Sequence, residues 1–526
     1  MSTSRTLVQP APPSQKIIGI ALIVASLAYL FYFVPRGWVP HDEGMLGQAA
    51  ERVLRGGLPH VDYVELYTGG LAWLNAQVFR VFGVDLIYLR WLLFAGAVVA
   101  QWLTYALLRR FLKPAPAALA SWIALVWSFP NFFAGLPSWW LLICALGSLL
   151  AFVRYVESGA VKYAAIAGLA AGLSLLIKQT GIYLLIALMM LLLYENVGGR
   201  AGVEARFAHI LRIGVATLAI AFALFILHSR MFPSDLLYLL LPIAACSRLL
   251  VTSPGSGGNA PNDRRWLAVV SAGICAIIPL ACFLVPYIAS HHLRELINGL
   301  VVAPQKRFVF ANIDMDSAWF ILTGLPLAAL FVPIRMLDRI PRISPTVVGA
   351  MSAIAALLIV AASLANEDAY QAVWQSARAF AALLPIAVCW RLISGHVADE
   401  DRRRLLFAIC TMLSWAALVQ FPFSAPIYFC YVTPLVVLAA VATGADASGN
   451  RKVLIGAWSG LVFCFAVLSM FTRFGTNGFS FTNAISEAND DGGCDKAVRA
   501  TGALRLSPCS HCVDRPPSAP ERNVTG

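Results

Sequence analysis

The sequence predicts an all-α polytopic membrane protein, a single bundle of about 13–15 transmembrane helices with amphipathic helices in its first outer loop. Three observations carry that expectation. Of the 526 residues, 59% are hydrophobic and 13% charged, whereas soluble domains hold about 45–50% apolar and about 25% charged residues. The mean hydropathy is +0.74, and the apolar mass extends from residue 16 to residue 471 rather than gathering into one anchor. The apolar runs are also continuous, not alternating every second residue, which argues against a β-barrel. A soluble dehydrogenase, a nucleic-acid-binding module and a disordered scaffold are excluded on the same grounds. The formal net charge of +12 sits in short clusters between apolar runs, where it reports topology and not a polyanion partner.

Taken in order, residues 1–15 read as a polar cytoplasmic tail, and the run 17–34 as a retained first span, because no small-residue cleavage site precedes Pro35. Candidate spans follow near 16–34, 89–111, 115–133, 137–155, 163–177, 180–195, 207–228, 235–250, 266–288, 318–334, 345–364, 380–395, 405–421, 427–443 and 453–471. Residues 16–471 thus form one membrane domain. With the N-terminus inside, Arg109, Arg110, Lys113, Arg154, Lys162, Arg200, Arg206, Arg264, Arg265, Arg335, Arg339, Arg342, Arg402, Arg403, Arg404, Arg451 and Lys452 all fall in the cytoplasm. Three segments then face outward with length to spare: 35–88, 289–317 and the tail 472–526. No cytoplasmic stretch is long enough for a nucleotide-binding motor domain.

The loop 35–88 is the richest in chemistry. Leu46, Ala49, Ala50, Val53 and Leu54 recur at three- and four-residue spacing opposite Glu51, Arg52 and Arg55, predicting a short amphipathic helix that ends at Gly56-Gly57. A second is expected after Thr68 as N-cap, with Leu71, Leu74, Val78 and Phe82 on one face. Around them lie His41, Asp42, Glu43, His60, Asp62, Tyr63, Glu65 and Tyr67.

The order of these features resembles the GT-C membrane glycosyltransferases. The matching residues are Asp42-Glu43, the turn from Gly56 to Pro59, Asp62-Tyr63-x-Glu65, Phe82-Gly83 and Arg90. The relatives are the protein O-mannosyltransferases, the lipid A aminoarabinose transferases and the bacterial Rgt-type transferases. The likeness covers residues 16–200, including Lys178-Gln179, which resembles a Lys-bearing turn between later spans of that family. It implies transfer of a sugar from a polyprenyl-phosphate carrier to a lipid, glycan or protein hydroxyl on the outer face, by inverting chemistry. Asp42 would be the general base. Glu43 would support it or hold a divalent cation, the one cofactor the resemblance allows; no residue is assigned as a metal ligand. One departure stands out: where the aminoarabinose transferases carry Glu-Lys-Pro, this chain reads Glu65-Leu66-Tyr67-Thr68-Gly69-Gly70. The missing Lys leaves the carrier phosphate to the Gly69-Gly70 amides and to Lys178, Lys306 or Arg307.

Each candidate has a plainer reading. An Asp-Glu pair at a helix start commonly caps the helix and meets its dipole. Asp62, Glu65 and Tyr67 read as substrate contacts or as solvated loop groups, and His41 and His60 lack metal-ligand spacing. Lys178-Gln179 interrupts an apolar stretch, where a central Lys costs about 2.5–3.5 kcal/mol; it marks either a cavity-facing turn or a side chain snorkelling to headgroups. Lys306 and Arg307 stand among Phe308 and Phe310 on the outward side, where basic residues are disfavoured, as a phosphate clamp or a headgroup anchor. Arg378, expected at the outer start of span 380–395, is a similar candidate. Pro422, Pro426 and Pro434 with Tyr428 and Tyr431 line a carrier groove or form an aromatic belt. Cys494 with Cys509 or Cys512 suits a disulfide better than zinc. The competing function is a transporter or flippase, whose charges would sit at midplane within two similar halves. A third reading, non-catalytic polymer binding, needs no acidic pair.

Overall fold

The computed structural model describes residues 12–37, 39–197, 203–229, 231–252, 262–307, 313–331, 344–397, 399–445, 453–460, 462 and 465. Among these residues the chain is helical, its only β pairings being the isolated bridges Pro59–Tyr63 and Ile313–Phe423. Among the described residues, ten helices are long and apolar enough to cross a membrane, and three shorter apolar ones accompany them. The expected disulfide cysteines, and residues 461, 463, 464 and 466–471 of the expected last span, lie outside the described residues.

The N-terminal half runs α1 (Pro13–Phe31), α2 (Pro40–Leu54), α3 (Gly70–Phe82), α4 (Leu86–Leu108), α5 (Pro114–Val126), α6 (Pro137–Ser158), α7 (Val161–Ile177) and α8 (Ile182–Asn196). The two amphipathic helices of the first loop are therefore present where the three-and-four spacing put them. Their apolar faces meet: Leu46 and Ala50 of α2, Leu71 and Phe79 of α3, and Leu86 and Leu89 of α4 form a satellite core of their own. Burying those faces together stabilises the loop at roughly 25 cal/mol per Å² removed from water.

Three local expectations change. Thr68 does not cap α3; Gly69 is the N-cap, at φ 112°, a conformation that a Cβ disfavours. Gly70 then packs so closely on the end of α7 that a Cβ would lie 2.5 Å from the Leu176 carbonyl oxygen. The helix expected near 380–395 instead begins at Glu367, because the Asn366 side chain accepts from the Asp368 amide and caps it. Finally, the span expected at 427–443 is broken into Pro426–Cys430 and Thr433–Gly444, with Pro426 and Pro434 each in the first turn of its helix.

α7 and the helix Asn262–Ala289 cross at close range. Neither Gly168 nor Gly172 of α7 has room for a Cβ, since Ala272 and Ala276 carbonyls occupy that space. This small-xxx-small contact is a packing mode of membrane helices, which associate by van der Waals contact. It fixes the end of α7, where Lys178 stands.

Candidate active site

Arg90, in the first turns of α4, builds the frame. Its side chain is fully buried, and its Nε donates to Glu43 Oε1 at 2.6 Å while Nη2 donates to Glu43 Oε2 at 2.7 Å. Nη1 donates to the Val34 carbonyl at 2.9 Å and the Arg36 carbonyl at 2.6 Å, and Nη2 reaches the Gly37 carbonyl at 2.9 Å. Glu43 is itself buried and accepts from the Val39 amide at 2.9 Å. Burial pushes the Glu43 pKa up, against the opposing pull of Arg90. The pair thus ties the exit of α1, the start of α2 and the start of α4 into one unit, and both Glu43 oxygens are spent in it.

Asp42, one residue earlier, is left half-buried beside the exposed His41, whose Nδ1 is 3.6 Å from Asp42 Oδ1. Tyr428 and Tyr431 lie within reach of its charge. Tyr428 in turn faces Lys178. Lys178 Nζ lies 5.4 Å from the Tyr428 ring centre and 5.7 Å from that of Tyr67, and donates to Ser138 Oγ at 2.9 Å. An ammonium between two aromatic faces is held by their quadrupoles. Burial lowers the Lys178 pKa to about 8.

The wall behind is aromatic. Tyr428 and Tyr431 meet edge to face at 5.6 Å, Tyr431 meets Trp139 at 4.4 Å, and Trp139 stacks on Phe129 at 4.4 Å. The break between Pro426–Cys430 and Thr433–Gly444 brings both tyrosines within reach of Asp42 and sets Tyr428 against Lys178.

Six expected residues therefore separate into two groups. Asp42, Tyr67 and Lys178 come together around Tyr428 and Tyr431. Asp62 is exposed and closes its own turn, accepting from the Leu58 amide at 2.7 Å. Glu65 is buried, accepts from the Leu66 and Tyr67 amides at 2.8 and 3.1 Å, and shapes the backbone that presents Tyr67. Gln179 opens a 3-10 turn after Lys178, and its buried Nε2 has no partner among the described residues.

Lys306 and Arg307 end the short helix Ala303–Arg307, but their side chains lie outside what the structure describes. The second loop does reach the first: Gly299 packs on the His60 ring with no room for a Cβ, and Tyr287 Oη donates to the Pro59 carbonyl at 3.1 Å. Arg378 is not part of the Asp42 cluster. It is 5% exposed, near the middle of Glu367–Ile393, and its Nη1 donates to Asp316 Oδ2 at 3.2 Å.

A divalent cation does not fit the donor set around Asp42. Glu43 is committed to Arg90 and Val39, and no group of three His, Cys, Asp or Glu side chains converges among the described residues. Sequence reasoning did not place Ser138, nor bring Tyr428 and Tyr431 to Asp42. The signal available was the proline-bracketed tyrosine pair, which has no spacing relation to the first loop.

Fold and site together define a multi-pass helical membrane protein with an acid, a lysine and an aromatic wall meeting around its first long loop. Residues 70–228 match the family model of dolichyl-phosphate-mannose-protein mannosyltransferases. That match agrees with the resemblance to GT-C membrane glycosyltransferases; it begins after Asp42, Glu43, Asp62 and Glu65. No curated protein is similar enough to the chain to match it.

Among solved structures, the archaeal oligosaccharyltransferase AglB from Archaeoglobus fulgidus, in complex with an inhibitory peptide and a dolichol-phosphate, is 12% identical. That alignment covers 97% of this chain and 62% of the other, with a TM-score of 0.40. This chain thus spans less than two thirds of that protein's length. ArnT from Cupriavidus metallidurans, bound to undecaprenyl phosphate, is 14% identical over 82% of this chain and 78% of its own, with a TM-score of 0.33.

Proposed function

We propose that the chain is a membrane glycosyltransferase that moves a sugar from a polyprenyl-phosphate carrier to a hydroxyl of a lipid, glycan or protein acceptor, on the outer face of the membrane and with inversion. The observation that carries this reading is the meeting of Asp42 and Lys178 across Tyr428. In this reading Asp42 is the base and Lys178 the phosphate-binding cation, with Tyr428 between them.

An alcohol is a poor nucleophile until a positioned carboxylate takes its proton, a contribution of about 10²–10⁴-fold. In this reading Asp42 accepts the acceptor's hydroxyl proton as the oxygen bonds to the anomeric carbon. The bond from that carbon to the carrier phosphate oxygen breaks, and its electron pair leaves with the phosphate. The growing negative charge there is met by Lys178, in surroundings whose low polarity strengthens the attraction. A single displacement of this kind inverts the anomeric centre without a second carboxylate as nucleophile. Tyr67 and Tyr428 hold Lys178 in place, and the faces of the aromatic wall suit the prenyl chain or the sugar ring.

Glu43 is then a positioning residue: paired with Arg90, it holds the start of α2 so that Asp42 points to the acceptor. Asp62 and Glu65 shape the loop. Lys306 and Arg307 are the second loop's contribution to the carrier phosphate.

The test supplies membranes containing the chain with a panel of polyprenyl-phosphate sugars, with and without acceptor alcohols, and follows free polyprenyl phosphate by mass spectrometry. Acceptor-dependent release is expected with at least one donor. Folded protein that releases none from any donor, yet moves lipid or glycan across a vesicle membrane, would make it a transporter.

A further inference from the structure

Both ends of the second outer loop reach the surroundings of Lys178. Where the loop begins, Tyr287, in the last turn of Asn262–Ala289, donates from Oη to the Pro59 carbonyl at 3.1 Å, and Gly299 packs on the His60 ring. His60 Nε2 in turn lies 3.3 Å from the carbonyl oxygen of Thr68, the neighbour of Tyr67. Where the loop ends, the Ile313 amide donates to the Pro422 carbonyl at 3.3 Å, and the Ile313 carbonyl accepts from the Ser424 amide at 3.0 Å. Phe423 is held between those two bonds, and its ring meets that of Tyr428 edge to face at 5.5 Å. Tyr67 and Tyr428 are the two aromatic faces around Lys178, so one loop is tied to both.

The end of the loop is anchored by charge. The Ile313–Phe423 pairing is an isolated bridge, and so short a pairing does not hold itself in place. Three residues further on, Asp316 Oδ2 accepts from Arg378 Nη1 at 3.2 Å, with the two side chains 13% and 5% exposed. An arginine near the middle of a membrane-spanning helix is costly and marks a site where it has a partner. In surroundings of low polarity the attraction between the two charges is strong, and breaking a buried pair strands a charge. Arg378 also stands behind the tyrosine segment: Cys430 lies within reach of its charge, whereas Tyr428 and Tyr431 lie within reach of Asp42.

We propose that Arg378 and Asp316 are positioning residues: their pair pins the end of the second outer loop to the helix bundle and, through Ile313 and Phe423, sets Tyr428 and Tyr431 against Lys178 and Asp42. Neither residue touches a substrate in this role. The consequence for carrier binding rests on the transferase reading, and the placement of the tyrosines does not.

The test uses the full chain in detergent and makes two measurements. Hydroxyl-radical labelling read by mass spectrometry reports the exposure of Tyr428 and Tyr431, and titration with a short-chain prenyl phosphate reports carrier affinity. In Asp316→Asn, labelling of both tyrosines is expected to rise, and affinity to fall roughly tenfold as Lys178 loses one aromatic face. Arg378→Lys, which keeps a charge for Asp316, should stay close to wild type in both. Tyr155→Phe removes a buried hydrogen bond to Asn196 at the far end of α6 from Ser138, and should lower the melting temperature while changing neither measurement. Should Asp316→Asn fail to fold, the double variant Arg378→Met with Asp316→Leu, which removes the pair without stranding a charge, decides.

Raised labelling in a wild-type background that binds no prenyl phosphate would uphold the positioning role and count against the transferase reading. Unchanged labelling of Tyr428 and Tyr431 in the folded Asp316 or double variant, or an equal rise in Tyr155→Phe, would overturn the proposal.

Discussion

Glu43 and Arg90, 47 residues apart in sequence, meet in a two-point ion pair with contacts of 2.6 and 2.7 Å, and both are buried. Asp42 is placed by that pair, because the turn that carries it cannot move without breaking it. Removing one partner of a buried pair leaves an uncompensated charge and costs about 3–5 kcal/mol. Arg90→Gln also strands the Val34, Arg36 and Gly37 carbonyls. Thermal unfolding of Glu43→Gln and Arg90→Gln should show a large loss in each, and the double variant should lose less than the sum. Additive losses would remove the pair from the account.

Lys178 gives the pH dependence. Burial lowers its pKa from 10.5 to about 8, so its positive charge is present below that pH and is lost above it. Binding of a polyprenyl phosphate should therefore weaken as pH rises through about 8. In the unfolded chain the same lysine stays protonated to about 10.4, so the cost of burying it falls, and the fold gains stability, as pH rises between the two values. Lys178→Arg, which does not titrate, should bind donor evenly across that range. An unchanged binding profile in Lys178→Arg contradicts the assignment.

The approach of α3 to α7 tests the backbone route to the site. Gly70→Ala would set a methyl 2.5 Å from the Leu176 carbonyl oxygen, and neither backbone can yield cheaply. A loss of about 1–3 kcal/mol is expected, with donor affinity falling as Tyr67 is pushed from Lys178. Gly44→Ala, in open space on α2, should be near neutral in melting temperature and serves as the control.

The crossing at Gly168 and Gly172 is a separate determinant. Gly172→Val should separate α7 from Asn262–Ala289, lower the melting temperature, and reduce activity with it. Gly214→Val, on a helix face with nothing nearby, should leave both unchanged.

Much of this was legible in the sequence because it is local. The three-and-four spacing in 43–82 gave both amphipathic helices, and Lys178-Gln179 marked a turn because a lysine is costly inside an apolar run. The unread parts are contacts between distant segments. Arg90 with Glu43, Arg378 with Asp316, and Lys178 with Tyr428 leave no spacing signature, and only the packed fold pairs them. The start of the helix at Glu367 was missed for a related reason: Arg378 looked like a span boundary because its buried partner Asp316 is 62 residues away. Thr68 looked like a cap because its residue type suits one, but the chain there needs φ 112°, which falls to Gly69.

The most direct measurement compares wild type with Asp42→Asn at equal amounts of folded protein, following acceptor-dependent release of polyprenyl phosphate and, separately, donor binding. The Asn side chain keeps the shape and cannot take the proton. Release should fall about 10²–10⁴-fold while donor affinity stays close to wild type. Equal release by the two proteins would mean that Asp42 is not the base and that the central claim is wrong.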